Sequence, residues 1–280
     1  MPLKQKLGLI AGNGRFPFLV LEAARAQGFD VVVAAIKEET LPEIENHGAL
    51  AVHWLSLGEL SKLIETFHRE GISRAIMAGQ VKHKQIFSSI RPDLRLAKLL
   101  LNLRTRNTDA LLGAIAKVLG DEGIMLENST ALLEPLQARP GVLSKRKPSE
   151  QENNNLEYGR AVARHLAQYD IGQTVVVADG ACVAVEAMEG TDATIERAGH
   201  IMASLEAKAS TLSRALTVVK IAKLNQDMRF DVPVIGIHTI DVMRAAAATC
   251  LAVDAGKCLL LDGDAVIDAA DAGQIAVVAG

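Results

Sequence analysis

Two carboxylates flank a guanidinium in the last quarter of the chain, at Asp227, Arg229 and Asp231. Read with a period of two residues, these side chains share one face of a strand, and the apolar residues between them share the other. Two cations precede this face, Lys220 and Lys223. Such a set of charges suits a polyanion held with a metal ion beside a water molecule that is to be activated. A surface ladder of salt bridges is the alternative, because structural ion pairs cluster in the same way.

A glycine turn, Gly12-Asn13-Gly14, follows the apolar strand pattern of residues 7–11 and precedes a helical pattern. Glycines let the backbone turn tightly and approach a ligand, and the start of a helix presents amides to an anion. As a dinucleotide fingerprint the turn is poor, because Pro17 occupies the third glycine position of G-x-G-x-x-G. It is compatible with a mononucleotide or nucleotide-sugar site, and equally with a purely structural turn.

A second glycine, Gly79, ends the strand pattern of residues 72–78 and is followed by Gln80 and Lys82. Ligands of parallel sheets bind outside the carboxyl ends of the strands, where the strand order reverses. These three residues are therefore predicted to contact a ligand. The alternative is a simple strand exit without a binding role.

The segment Glu189-Gly190-Thr191-Asp192 opens another helical pattern. Thr191 or Asp192 can cap that helix. The same geometry can direct backbone amides and the Thr191 hydroxyl toward a phosphate, and the carboxylate of Glu189 or Asp192 toward a magnesium ion. Oxygen ligands without a histidine partner favour such a hard cation.

Strand patterns alternate with helical patterns along both halves of the chain, which predicts an α/β fold with a Rossmann-like parallel sheet in an N-terminal domain and a mixed α/β C-terminal domain. Predicted strands include residues 7–11, 31–36, 49–55, 72–78, 123–126, 174–178, 181–187 and 234–237, and predicted helices include 57–69, 109–119, 193–205 and 240–248. Prolines, polar residues and a reversal of charge concentrate over residues 136–155. This segment is interpreted as a linker between domains at 1–135 and 156–280.

Residues 91–106 combine leucines with arginines and lysine at helical spacing. A basic amphipathic helix of this kind can rest on an anionic bilayer surface or cover an acyl chain. An ordinary helix that buries its leucines and leaves its arginines in solvent is the alternative.

Composition excludes several classes of protein. A formal net charge of -3 with 22% charged residues leaves no basic field for a nucleic acid, and 3% aromatic residues leave no stacking platform. The three cysteines form no C-x-x-C pair, which fits neither a disulfide framework nor a structural zinc site. No stretch reaches about 18 apolar residues and no secretion signal begins the chain, so a cytoplasmic protein is expected.

Five segments together resemble a known family, residues 8–14, 78–82, 172–177, 184–192 and 223–236. They are similar to the LpxI-type UDP-2,3-diacylglucosamine diphosphatases of lipid A biosynthesis, and the E-G-T-D and Q-D-x-R-x-D-x-P-x-I-G segments are the most specific. The resemblance implies two domains with the substrate in a cleft between them. It also implies magnesium-dependent hydrolysis to UMP and 2,3-diacylglucosamine 1-phosphate, with water attacking the sugar-side phosphorus.

The resemblance, together with the chemistry of the residues themselves, predicts residue roles. Asp231 matches the family's catalytic aspartate, Asp227 stands where members carry Asp or Glu, and Arg229 is assigned to charge stabilisation. Mg²⁺ is expected at Asp231, Asp227 and Asp192. Contacts to the substrate are expected at Ala11, Gly12, Asn13, Gly14, Gly79, Gln80, Lys82, Gly190, Thr191, Asp192, Lys220 and Lys223.

The expected partners are a lipid-linked nucleotide sugar and, peripherally, the surface of the inner membrane. The resemblance and the apolar second half also suggest a homodimer. The alternative function is a non-catalytic nucleotide-sugar or lipid-carrier binding protein that uses the same residues. That alternative predicts ligand retention without hydrolysis.

Overall fold

The computed structural model describes residues 5–81, 91–103, 108–206, 215–223 and 226–280. The chain divides into two compact units. The first comprises Met1–Glu134 together with Asp227–Asp231, and the second comprises Pro135–Gln226 and Val232–Gly280. Both units combine strands with helices, which confirms the predicted α/β class. Within the described ranges, no helix is both long and apolar enough to cross a bilayer.

The first unit is built on a parallel sheet. Its strands are β1 (Lys6–Ala11), β2 (Asp30–Ile36), β3 (Ala51–Leu55), β4 (Arg74–Ala78) and β5 (Met125–Glu127), and its described helices are α1 (Phe16–Ala26), α2 (Leu60–Glu70), α3 (Leu94–Asn102) and α4 (Thr108–Asp121). The strand order is β3-β2-β1-β4-β5, and every neighbouring pair is parallel. The order reverses between β1 and β4. This arrangement confirms the predicted Rossmann-like sheet.

Local sequence explains why these elements form. Strand β2 is almost continuously apolar and buried, as expected of a strand covered on both faces. Helix α2 buries Leu60, Leu63, Ile64 and Phe67, whose spacing places them on one face. The helix ends where Gly71 adopts a left-handed conformation, with φ of 70°.

The second unit carries a mixed sheet. Its strands are β6 (Gly141–Val142), β7 (Thr174–Ala178), β8 (Ala181–Val185), β9 (Leu216–Lys220), β10 (Val234–Ile235), β11 (Ala248–Val253), β12 (Leu259–Leu260) and β13 (Ala276–Ala279), and its described helices are α5 (Glu150–Gln168), α6 (Thr191–Glu206), α7 (Ile237–Ala245) and α8 (Asp264–Ala272). The described strands of the main sheet run in the order β6-β13-β11-β9-β7-β8, and β10 pairs with β12 beside it. Strands β9, β11 and β13 are parallel, whereas β7 is antiparallel to both β8 and β9.

Both faces of this sheet are covered. Leu156 and Ala163 of α5 pack on one face, and Ile195 of α6, Met243 of α7 and Val266 of α8 lie in the core on the other. The apolar strands are buried between these layers, as expected for a largely parallel sheet.

Two details differ from the sequence prediction. Strand β9 is not among the predicted strands, although residues 215–222 form a nearly continuous apolar run. The predicted linker of residues 136–155 contains β6 and the first turns of α5. It belongs to the second compact unit. Helix α5 begins there because Ser149 and Glu152 form a capping box, in which each side chain bonds the other's backbone amide.

Candidate active site

The two predicted glycine turns of the first unit meet at adjacent strand ends. The amide of Gly12 donates to the carbonyl oxygen of Ala78 at 2.8 Å. Beyond it, Asn13 and Gln80 form an antiparallel bridge, with N to O distances of 2.7 and 3.1 Å. The bridge lies where β1 and β4 end, which is the point at which the strand order reverses. We call the side on which β1 to β5 end the carboxyl edge of the first sheet, and it is where ligands of such sheets bind.

Backbone packing accounts for two of the glycines. A Cβ atom on Gly12 would lie 2.6 Å from the carbonyl oxygen of Gln80. One on Gly79, whose φ is +93°, would lie 2.7 Å from the carbonyl oxygen of Asn13. Gly14 also has a positive φ, +90°, but a Cβ there would meet no atom within 4 Å. Packing therefore accounts for Gly12 and Gly79, whereas the role of Gly14 in binding a ligand stays a prediction.

Helix α1 begins at Phe16, directly after this turn. Its N-cap residue is Arg15, whose guanidinium has no acceptor to offer the first amides of the helix. The buried carbonyl of Ala11 accepts a 2.6 Å hydrogen bond from the Thr40 hydroxyl, which fixes the end of β1. The amino end of α1 thus lies at the carboxyl edge. Because the helix dipole is positive at this end, it attracts an anion.

The segment that carries the two predicted catalytic carboxylates is a turn, and the predicted strand over residues 227–231 is wrong. The amides of Phe230 and Asp231 both donate to the carbonyl oxygen of Asp227, at 3.1 and 2.9 Å. The Asp227 carboxylate also accepts from the amide of Arg229 at 3.1 Å. Such local bonds from an aspartate to the backbone two residues on stabilise turns in preference to extended chain.

Arg229 and Asp227 form a bidentate ion pair. Nε donates to Oδ1 at 2.8 Å and Nη2 donates to Oδ2 at 2.5 Å. The hydrogen bond from Arg229, together with its positive charge, lowers the pKa of the Asp227 carboxyl below its usual range. The pair is partly exposed, with 41% of the arginine side chain accessible.

A serine that sequence reasoning missed fixes this turn to the first unit. The amide of Ser129 donates to the carbonyl oxygen of Met228 at 2.9 Å. Its hydroxyl lies 2.5 Å from the carbonyl oxygen of Met77 on β4 and 2.7 Å from that of Arg229. Phe230 packs against the first unit's hydrophobic core. These contacts place the turn at the carboxyl edge, beside the ends of β4 and β5.

A signal for Ser129 was present in the sequence. The polar run Asn128-Ser129-Thr130 begins two residues after the predicted strand of residues 123–126, in the position where ligand-binding loops of parallel sheets occur. In the structure, Asn128 accepts bonds from the amide and the hydroxyl of Thr130 at 2.8 and 2.9 Å. The run thus forms a compact loop whose middle residue is buried and bonded to the turn.

The remaining predicted site residues with described positions belong to the second unit. Lys220 ends β9, is buried, and donates to the carbonyl oxygen of Val234 at 2.9 Å. Lys223 forms a 2.5 Å ion pair with Asp170, and its amide donates to Gln226 Oε1 at 2.7 Å. Both lysines are thus bonded within their own unit.

The E-G-T-D segment starts α6, as predicted, but its side chains have structural partners. The Thr191 hydroxyl donates to Glu186 Oε1 at 3.1 Å. Glu189 pairs with Arg197 at 2.6 Å, and hydrogen bonds from backbone amides, followed by the arginine, lower the pKa of the Glu189 carboxyl. Gly190 has a φ of +85° and open space around it.

Asp192 joins two helices of the second unit. Its Oδ1 accepts a 2.8 Å hydrogen bond from the Thr239 hydroxyl, and His238 Nε2 lies 3.7 Å from its Oδ2. Strand β8 is parallel to β9, since both are antiparallel to β7. Asp192 and Lys220 therefore lie toward the same edge of the second unit's sheet.

No preformed metal cage occurs in the described part of the chain: no three His, Cys, Asp or Glu side chains there are grouped closely enough to hold an ion. Both oxygens of Asp227 accept bonds from Arg229, and Oδ1 of Asp192 accepts one from Thr239. The predicted Mg²⁺ ligands stay a prediction. Lys82, another predicted contact, lies outside the described residues.

Comparison with known proteins accounts for almost the whole chain. The model of the LpxI N-terminal domain matches residues 6–136, and that of the LpxI C-terminal domain matches residues 139–278. A relative from Caulobacter vibrioides, named UDP-2,3-diacylglucosamine pyrophosphatase LpxI, is 31% identical over 270 residues, which cover 95% of this chain and 94% of the relative. Two domain models in the expected order and a relative of matching length lead to one conclusion: this chain belongs to the LpxI family.

Proposed function

We propose that this chain hydrolyses the diphosphate of UDP-2,3-diacylglucosamine to UMP and 2,3-diacylglucosamine 1-phosphate, as a step of lipid A biosynthesis. The name of the Caulobacter relative supports the substrate. The observation that carries the proposal is the position of the turn Asp227–Asp231, which Ser129 fixes at the carboxyl edge where the two glycine turns meet. A charged turn and anion-attracting backbone at one edge suit a nucleotide diphosphate.

Asp231 is assigned to the attacking water. Its carboxylate orients the water and accepts a proton as the water oxygen bonds to phosphorus. The bridging oxygen then leaves with the other phosphate, so that one water molecule divides the diphosphate into two monophosphates. The hydrogen bond from the Asp231 amide to the Asp227 carbonyl, at 2.9 Å, fixes the backbone from which this carboxylate projects.

Arg229 is assigned to the diphosphate. Its pair with Asp227 uses Nε and Nη2, so the proposal gives Nη1 the contact with a phosphate oxygen. An arginine that is already held by a carboxylate loses little conformational freedom when it binds substrate, and its charge meets the charge that develops on the leaving phosphate. Asp227 is therefore assigned a positioning role through Arg229.

The glycine turns are assigned to the nucleotide side. Gly14 offers backbone without a side chain, and the amino end of α1 offers dipole and amides. Gln80 is held at the edge by its bridge to Asn13, so its side chain can select a uridine or ribose group. For Lys220, Lys223 and residues 190–192 of the second unit, contact with substrate stays a prediction of the sequence.

Mg²⁺ is part of the proposal. Magnesium sites commonly use one or two carboxylates and complete their coordination with water and substrate phosphates. Asp231 supplies a hard oxygen donor of the right kind, and the proposal leaves the rest of the coordination to water and the substrate phosphates. When bound, the ion would neutralise charge on the diphosphate.

The substrate joins two acyl chains to a charged nucleotide. We therefore propose a cytoplasmic protein that works peripherally at the inner membrane. The suggested homodimer stays a prediction, which sedimentation of the full chain would decide.

The direct test incubates the purified chain with UDP-2,3-diacylglucosamine in ¹⁸O-labelled water, with Mg²⁺ or with a chelator. Mass spectrometry of the products should find UMP and 2,3-diacylglucosamine 1-phosphate, with the label in the sugar phosphate and no turnover with the chelator. Label in UMP would move the attack to the uridine-side phosphorus. Ligand retention without any product would favour the non-catalytic binding protein.

A further inference from the structure

Helix α3 exposes two leucines to solvent. Leu96 is buried, with 4% of its surface accessible, and anchors the helix in the core of the first unit. On the opposite side, Leu94 and Leu101 are 92% and 81% exposed. They are seven residues apart and therefore lie above one another on the same helical face. The ordinary reading of this helix as a core element explains Leu96 but not these two leucines.

Two cations lie beside the exposed leucines. Lys98 is exposed, and its spacing of four residues from Leu94 and three from Leu101 places it on the same side of the helix. Arg91 is also exposed and lies just before the helix begins, three residues ahead of Leu94. Arg95 is paired with Glu122. We call the four residues Arg91, Leu94, Lys98 and Leu101 the outer face of α3.

The acidic residue of this segment is turned toward the protein. Asp93 is the N-cap of α3, and its two oxygens accept from the amides of Leu96 at 2.8 Å and Ser61 at 2.6 Å. Its negative charge is therefore engaged by backbone at the start of the helix. The outer face keeps a positive character that Asp93 does not cancel.

The outer face begins near the carboxyl edge of the first sheet. The amide of Asp93 donates to the carbonyl oxygen of Gly58 at 3.1 Å, and Gly58 lies in the loop that follows the end of β3. The glycine turns and the turn of residues 227–231 lie at the same edge. The outer face therefore begins on the side of the first unit where the proposed chemistry takes place.

We propose that the outer face of α3 docks on an anionic lipid bilayer. The two leucines enter the boundary between head groups and acyl chains, and Arg91 and Lys98 lie at the level of the lipid phosphates. A pair of exposed leucines with two cations beside it matches the apolar interior and the negative surface of such a bilayer. The proposal rests on the proposed function for its lipid partner, but it concerns binding and is tested without substrate.

The test measures co-sedimentation of the full chain with vesicles of phosphatidylcholine and phosphatidylglycerol, and with vesicles of phosphatidylcholine alone. The chain should bind the anionic vesicles, and salt should weaken the binding. Replacing Leu94→Ser and Leu101→Ser together should lower the partition coefficient at least about tenfold. Lys98→Gln should lower it about fivefold.

Matched controls use residues of the same unit that lie away from the outer face. Leu50→Ser with Met125→Ser removes two other exposed apolar side chains and should leave vesicle binding unchanged, and so should Lys117→Gln. Equal binding of the double leucine variant and the unchanged chain would overturn the proposal, and so would the absence of binding to anionic vesicles. A dimer in solution that the leucine substitutions dissociate would assign the face to a second copy and would overturn it as well. Intact hydrolysis of dispersed substrate in any of these cases would show that the proposed function stands without the docking surface.

Discussion

The guanidinium of Arg229 donates two parallel hydrogen bonds, of 2.8 and 2.5 Å, to the carboxylate of Asp227 in the same backbone turn. Because the two residues are only two positions apart, the pair closes a small ring that sets the direction of both side chains. Asp227 is thus bonded to Arg229 through both of its oxygens, and the proposed function assigns the chemistry to Asp231.

Breaking the pair from either side should have the same effect on turnover. We expect Asp227→Asn and Arg229→Lys each to lower kcat/KM at least about tenfold, because lysine cannot make the bidentate contact and asparagine lacks the charge. Stability should change by less than about 1 kcal/mol, since the pair is partly exposed. The double variant should be little worse than either single one in a double-mutant cycle. Additive losses would contradict a positioning role for Asp227.

Sequence patterns predicted the architecture well where burial repeats over many residues. The parallel sheet of the first unit follows from apolar runs between helical patterns, and the predicted limits of strand β7, residues 174–178, agree with the structure. The prediction of a strand over residues 227–231 was wrong, because an alternation of charged and apolar side chains over only five residues is also compatible with a turn. Local bonds from Asp227 to the backbone and guanidinium of Arg229 decided between the two.

Two other features were missed in the sequence, for different reasons. The S-x-x-E pattern at Ser149 and Glu152 marks the start of α5, inside the segment interpreted as a linker. The role of Ser129 depends on contacts with residues 100 positions away, which no local pattern contains. Positions of this kind follow from the fold and cannot be derived from spacing alone.

Ser129→Ala should impair catalysis more than it impairs folding. Loss of the hydroxyl frees the Arg229 carbonyl from β4, so kcat should fall at least about tenfold, while the free energy of unfolding falls by about 1–3 kcal/mol. Ser144→Ala is the matched control, because that buried serine also makes two hydrogen bonds of 2.8 Å, within the second unit. The control should lose similar stability and keep its kcat. Equal kcat values for both variants, measured well below their melting temperatures, would argue against the anchoring role.

Gly12→Ala and Gly79→Ala should each destabilise the first unit by more than about 1 kcal/mol, because each Cβ would press on a carbonyl oxygen of the opposite turn. Gly113→Ala, inside α4, meets no atom within 4 Å and should be neutral or stabilising by up to about 1 kcal/mol. Denaturant unfolding measures the free energy of unfolding of the three variants and checks this order. Wild-type stability of Gly79→Ala would show that the bridge between Asn13 and Gln80 is not rigid.

Glu152 should make the second unit sensitive to acid. Hydrogen bonds from Arg146, Thr249 and the Ser149 amide outweigh the cost of burial and lower the pKa of this carboxyl from 4.5 to about 2. A lowered pKa contributes stability that is complete above pH 4.5 and is lost as the pH falls toward 2, about 3 kcal/mol in all. Glu152→Gln should therefore cost about 3 kcal/mol at pH 7 and much less near pH 2.

The control for this experiment is Glu150→Gln, an exposed residue in the same first turn of α5, which should cost less than about 1 kcal/mol at either pH. Urea unfolding of the three proteins at several pH values gives the comparison. A pH-independent cost for Glu152→Gln would mean that its ionisation does not contribute.

The central claim is that Asp231 performs the chemistry at the carboxyl edge of the first sheet. It is tested most directly by measuring UMP release from UDP-2,3-diacylglucosamine with Mg²⁺ by the unchanged chain, by Asp231→Ala and by Asp121→Ala, an exposed aspartate of the same unit paired with Lys117. The account predicts that Asp231→Ala folds normally, by circular dichroism and thermal unfolding, and loses at least about a thousandfold in kcat, while Asp121→Ala keeps it. Turnover by folded Asp231→Ala at a rate near that of the unchanged chain would contradict the account.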